Sequence, residues 1–299
     1  MTALHEVAAF VPPSVPLASL GDHLGLSPMD VRVFERLHGL RDVAMATGTD
    51  WPDQVLAAAE RLTGLPAYAD RIRYVIAARS ELPMAYTRPF PLHDIAAKLG
   101  LPDDVICFAL AEHACASGLL AVHTAGRLLA RDAVPGGLAL VLTGEKASLP
   151  EVQHIPNQTI MAEGAAAVVV GDGGDRDRVL AYASRTGDGV VSYQDSYHDV
   201  FVDAMNEAVA TAGLTWDDIT VVLPHNVNRV SWVRIARQLG LPIERIFLDN
   251  VPKQAHSFSS DAFINYADVT AAGGLRPGDA YMMTASGVNT VASVMVLRH

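Results

Sequence analysis

Strand-like and helix-like segments alternate along this chain, and the alternation runs through twice in similar order, with a break near residue 175. The first series places strands at 5–10, 72–77, 105–110, 138–143 and 165–170, and helices at 30–40, 53–63, 94–99 and 116–130. The run Gly171-Asp172-Gly173-Gly174-Asp175 then forms a strong turn signal. The second series places strands at 179–185, 219–223, 246–248, 281–284 and 291–297. Its helices at 199–212, 229–239 and 262–272 are each closed by a glycine, Gly213, Gly240 and Gly273. Such a pattern predicts an α/β fold with mostly parallel, buried sheets. It also predicts two pseudo-repeated halves, 1–175 and 176–299.

Composition sharpens this. Half of the residues are hydrophobic, only 18% are charged, and the mean hydropathy is +0.22. A large share must be buried, in elements covered on both sides or in a sizeable subunit interface. No apolar run approaches the roughly 18 residues of a membrane span. The net charge is −11 and no Lys/Arg cluster appears, which argues against a nucleic-acid partner. Cys107 and Cys115 make neither a disulfide framework nor a metal motif. The first residues carry no basic stretch followed by an apolar one, so the expected setting is cytoplasmic, with reduced thiols.

Functional residues of such sheets are expected at the carboxyl ends of strands. Cys115 stands there. It follows the strand at 105–110 and opens the helix at 116–130. Unpaired N–H groups and the dipole at a helix start favour an anion, which suits a thiolate nucleophile. His225 follows the strand at 219–223, and the loop 250–261 follows that at 246–248. The cluster Tyr193, Asp195, Tyr197 and His198 precedes a helix and reads as a solvated loop.

Across nearly its whole length the chain resembles the β-ketoacyl-ACP synthases III of the thiolase superfamily. The resemblance is collinear. It rests on Gly39-Leu40-Arg41, Phe90-Pro91, Ala114-Cys115-Ala116 and the run Glu163-Gly164-Ala165-Ala166-Ala167. It continues through Pro224-His225-Asn226-Val227-Asn228, Leu239-Gly240-Leu241-Pro242, Leu275-Arg276-Pro277-Gly278-Asp279 and Ser286-Gly287-Val288. It implies a five-layer α-β-α-β-α thiolase fold, a homodimer, and acyl transfer through Cys115. The substrate would be an acyl-CoA or acyl-ACP thioester, with no permanently bound cofactor or metal. The resemblance maps an oxyanion hole onto the N–H groups of Cys115 and Gly287, worth a factor of about 100 or more in rate. Phe90 and Asn226 are the candidate substrate contacts, Phe90 reaching across the dimer.

Two departures matter. Where the family carries a catalytic asparagine, this chain reads Gln254-Ala255-His256-Ser257-Phe258-Ser259-Ser260-Asp261. A histidine takes up a proton at neutral pH, and a nearby carboxylate fixes its tautomer. Cys115, His225, His256 and Asp261 therefore suit transfer of the acyl group to an alcohol or amine, as in acyltransferase relatives of antibiotic pathways. Two alternatives stand: decarboxylative condensation by a Cys-His-His site, and a non-catalytic partner of a thiolase-fold heterodimer. The second departure is Val33, where the family often stacks a tryptophan on adenine, so a carrier-protein donor is favoured over free CoA.

Overall fold

The computed structural model describes residues 1–80, 91–147, 149–187, 193–288 and 290–299, the side chains of 193–196 excepted. Nine strands form the central sheet. They are β1 (Thr2–Phe10), β2 (Ile72–Ala78), β3 (Ile106–Leu110), β4 (Leu138–Glu145), β5 (Gly164–Asp172), β6 (Arg178–Thr186), β7 (Ile219–Leu223), β8 (Ala280–Ser286) and β9 (Val291–Arg298). From one edge the first half runs β3-β2-β4-β5-β1, with β3, β2 and β4 parallel and β4, β5 and β1 antiparallel. From the other edge the second half runs β7-β8-β9-β6, with β7 and β8 parallel and the rest antiparallel. Ile246 adds a parallel bridge to Val222 outside β7, completing the same order and the same directions. The halves meet where Ala3 of β1 faces Arg178 of β6.

Two expectations change. The sheet is mixed, not mostly parallel: short connections such as 287–290 between β8 and β9 impose antiparallel pairing. The sequence signal misleads because β4 and β8 are buried at every residue, and two-sided burial gives continuous apolar runs whatever the strand direction. The strand at 246–248 shrinks to the single Ile246 bridge. Pro242 starts a 3-10 turn (Ile243–Arg245) just before it, and Asn250 leads into the short helix Val251–Gln254 just after.

The helices complete five layers. α1 (Trp51–Ala59) and α2 (Leu92–Lys98) cover the outer face of the first half-sheet, where Val55, Ile95, Val75 and Leu140 pack together. α3 (Ser117–Asp132) and α6 (Asp261–Ala271) lie between the half-sheets, with Leu119, Phe263, Ile76 and Met283 in one core. α4 (Tyr193–Thr211) and α5 (Arg229–Leu239) cover the far side through Phe201 and Trp232. Gly118 lets α3 and α6 close up: a Cβ there would sit 2.6 Å from the Ser259 carbonyl oxygen and 2.9 Å from the Phe263 ring. Among the described residues no helix is long and apolar enough to cross a membrane.

Candidate active site

The chain leaves β3, makes a 3-10 turn over Ala114–Ala116 and enters α3 at Ser117. Cys115 is thus held in the 3-10 turn that leads into α3, 4% exposed. Ala114 before it adopts a left-handed backbone, φ +46°. The same occurs on the facing loop, at Ala255 (φ +60°) before His256 and at Phe258 (φ +51°). Each such non-glycine costs about 1–3 kcal/mol and persists only where the surroundings enforce it. Here it aims the two side chains at each other. Ala147, Met161 and Phe258 enclose the sulfur, with Val152 and Ile155 behind them.

His256 reaches the Cys115 sulfur on one side and Asp261 on the other. Its Nδ1 donates to Asp261 Oδ2 at 2.5 Å. That oxygen also accepts the Asn226 N–H at 2.5 Å, while Oδ1 accepts the Ser257 N–H at 2.7 Å and Asn226 Nδ2 at 3.3 Å. Four donors thus converge on one carboxylate that is 1% exposed. Burial alone would push the His256 imidazole down. The Asp261 charge and hydrogen bond, helped by the Cys115 sulfur, overcome this and raise it to about 10. The linkage follows in sign. A raised imidazole stabilises the fold fully below its ordinary value of 6.5, and that contribution is lost as pH climbs through about 10. Thermal unfolding scanned across that window is expected to show a steeper fall in midpoint for the wild type than for His256→Gln. Parallel curves would contradict the assignment.

His225 is different. It lies 1% exposed at the end of β7, its ring centroid 5.7 Å from that of His256. Burial pushes it well below the ordinary imidazole range, and the neighbouring His256 charge pushes the same way. The Tyr197 hydroxyl lies 2.6 Å from its Nε2, and Trp232 Nε1 donates to its carbonyl. Its Nδ1 has no partner among the described residues. Tyr197 is therefore no loop residue: α4 begins at 193, six residues before the expected 199, and carries Tyr197 and His198 into the interior.

The remaining candidates fall as follows. The Gly287 N–H is not available to an oxyanion, because it donates to the Val291 carbonyl at 2.8 Å and closes the turn into β9. The next residue, Val288, lines the Cys115 cavity, and its N–H makes no hydrogen bond among the described residues. Asn226 is fully buried, with its side chain spent on Asp261 and Asn265, so it stands behind the carboxylate instead of touching substrate. Phe90 lies outside the described residues. A cavity of about 370 Å³ opens on the sulfur, walled by Arg79, Ser80, Glu145, Val152, Met161 and Phe258. A second, much smaller cavity of about 10 Å³ is bounded by Cys115, His225, His256, Ser286 and Val288. A wider groove of about 880 Å³ carries Arg36, Arg41, Arg229 and Lys253.

Comparison with known proteins agrees with this architecture. Residues 209–299 match the family model described as 3-oxoacyl-(acyl-carrier-protein, ACP) synthase III C terminal. A curated beta-ketoacyl-(acyl-carrier-protein) synthase III of Rhizorhabdus wittichii is 40% identical over 85 residues, covering 28% of this chain and 26% of that protein. One of Rubrobacter xylanophilus is 26% identical over 191 residues, covering 57% and 59%. The match thus spans less than two thirds of the length of either relative. Among solved structures, ChlB3, described as an acyltransferase, superposes with TM-score 0.85 at 21% identity, covering 99% of this chain and 97% of that one. FabH from Pseudomonas aeruginosa PAO1 gives 0.82 at 20% identity, covering 99% and 98%. OleA from Xanthomonas campestris gives 0.82 at 17%, covering 100% and 98%. At these identities what is shared is the fold.

Proposed function

Because the chain carries the thiolase-superfamily fold in its ketoacyl synthase III-like form, we propose that it is an acyltransferase. It takes an acyl group from a carrier-protein or CoA thioester onto Cys115 and passes it to an oxygen or nitrogen acceptor. The observation that carries this reading is the continuous line Cys115–His256–Asp261. Asp261 leaves His256 Nδ1 protonated and turns Nε2 to the sulfur. His256, raised to about 10, holds a proton beside the sulfur, which reacts as the thiolate. The thiolate attacks the donor carbonyl, and the oxyanion is met by the Cys115 and Val288 N–H groups. The carbon–sulfur bond to the donor breaks, and the departing sulfur takes the His256 proton and leaves as a thiol. His256 is now neutral and accepts the proton of an alcohol or amine as it attacks the acyl-cysteine. Collapse breaks the Cys115 thioester and frees the sulfur, with the proton held on His256.

Condensation is the second reading, favoured by the two imidazoles standing edge to face beside one thiol. It would ask His225 to present Nε2 to a malonyl carbonyl, and Tyr197 occupies that atom. A non-catalytic partner subunit would have no use for a fully connected triad. The basic groove suits the phosphate of a phosphopantetheine or CoA donor. Val33, 40% exposed, offers adenine no ring, which favours a carrier protein. The edge strand β3 exposes Ile106 and half-buries Cys107, Phe108 and Leu110, a surface that a second copy would cover in a homodimer. The reaction draws its energy from the thioester and needs no bound cofactor. An acyl-tailoring step of secondary metabolism is the setting this implies. The deciding experiment supplies labelled malonyl-ACP alongside a panel of acyl-ACPs and acyl-CoAs. Acyl adducts with no release of labelled carbon dioxide are expected; stoichiometric carbon dioxide would make the protein a condensing enzyme.

A further inference from the structure

A second polar group touches the sulfur besides His256. The Ser80 hydroxyl donates to Cys115 Sγ at 3.4 Å. It sits just beyond β2, which pairs in parallel with β3 as far as Ala78 and Leu110. The Arg79 N–H continues that ladder to the Leu110 carbonyl at 2.9 Å, and Ser259 Oγ holds the Ala78 carbonyl at 3.1 Å. Ser80 is fixed in turn by its own N–H, which donates to Glu145 Oε2 at 2.8 Å. The other oxygen of Glu145 is gripped by both Arg79 Nε, at 2.9 Å, and the terminal guanidinium nitrogen. Arg79 lies over the Trp51 ring, 4.7 Å from its centroid, and Trp51 Nε1 donates to the Gly144 carbonyl. This buried ion pair is costly to assemble. The acyl-transfer steps above give it no task. One effect is to fix the Ser80 backbone, and with it the hydroxyl against the sulfur.

We propose that Ser80 is a catalytic hydrogen-bond donor to the Cys115 sulfur, acting chiefly when the acyl group leaves that sulfur. The proposal rests on the reading of Cys115 as the acyl carrier. Sulfur charge distinguishes the two half-reactions. During loading the thiolate loses negative charge as it attacks, so a donor to it gives the transition state no advantage over the ground state. During release an oxygen or nitrogen lone pair forms the new bond to the acyl carbon and the carbon–sulfur bond breaks. Its electron pair returns to Sγ, while the acceptor proton goes to His256. Negative charge then grows on a sulfur that already has the Ser80 hydroxyl beside it, so the bond strengthens along the step.

The test needs no natural substrate. p-Nitrophenyl acetate is mixed with the full-length wild type, Ser80→Ala and Ser80→Thr. The nitrophenolate burst reads loading, and intact mass reads loss of the acetyl group to water. In Ser80→Ala, release is expected to slow about tenfold while loading changes less than about twofold, the scale of a hydrogen bond to a developing charge. Ser80→Thr keeps the hydroxyl and is expected to release within about twofold of the wild type. Equal slowing of both phases in Ser80→Ala, or a Thr variant as slow as the Ala variant, would reduce Ser80 to a structural support and overturn the proposal. A wild type that never acquires an acetyl group on Cys115 would bring down the acyl-transfer reading itself, and Ser80 with it.

Discussion

Cys115→Ala is expected to remain folded and to take up no acyl group from any thioester, with transfer falling by a factor on the order of 10^6, the scale on which a triad fails without its nucleophile. The side chain is small, so truncation costs the core only about 1 kcal/mol. No other thiol can stand in. Cys107, the second of the two cysteines, lies on the edge strand β3, and burial pushes its thiol above the ordinary range. Intact mass after incubation with acyl donors, beside a melting curve, checks both halves of the statement. A persisting adduct would move the nucleophile elsewhere and dismantle the mechanism.

The second large effect belongs to Asp261→Asn. An amide at this place has one accepting oxygen where the structure needs two. Oδ2 serves His256 and the Asn226 N–H, and Oδ1 serves the Ser257 N–H and Asn226 Nδ2. Whichever way the amide turns, its own N–H groups face donors. Leaving buried donors unmet costs about 1–3 kcal/mol each, so a loss of several degrees in melting temperature is expected. If the amide instead donates to His256 Nδ1, the imidazole carries its proton on the wrong nitrogen, a change that elsewhere lowers turnover by about 10^4. Steady-state rates with a good acyl donor and acceptor decide the matter. A variant within tenfold of the wild type would show that Asp261 serves the fold and not the chemistry.

Most of the frame was legible because burial leaves a strong trace: β7 and α5 stand at their expected residues, 219–223 and 229–239. Cys115, His225 and His256 were legible because each lies at the carboxyl end of a strand position. Asp261 was legible from its five-residue spacing to His256. The surrounding support was not. Asn226, Asn265 and Asn250 form a buried amide chain behind Asp261, and each looks like an ordinary turn or helix residue in isolation. Ser80 meets Cys115 across 35 positions, and Arg79 meets Glu145 across 66. No local pattern encodes such pairings; only the register of β2, β3 and β4 creates them. Gly287 misled for a related reason. The motif locates the turn, but not that the Gly287 N–H is spent on the Val291 carbonyl.

The repeated strand order has a bearing on what the smallest working unit can be. Cys115 and His256 occupy similar stations, each after the third strand position of its own half and behind a left-handed alanine, Cys115 within and His256 just before a 3-10 turn that feeds a central helix. The proposed nucleophile therefore comes from one half of the chain and the proposed proton carrier from the other, with Gly118 allowing the seam to close. Neither half alone contains both groups of the proposed reaction centre, so cutting the halves apart would abolish the proposed chemistry, however well each piece kept its shape.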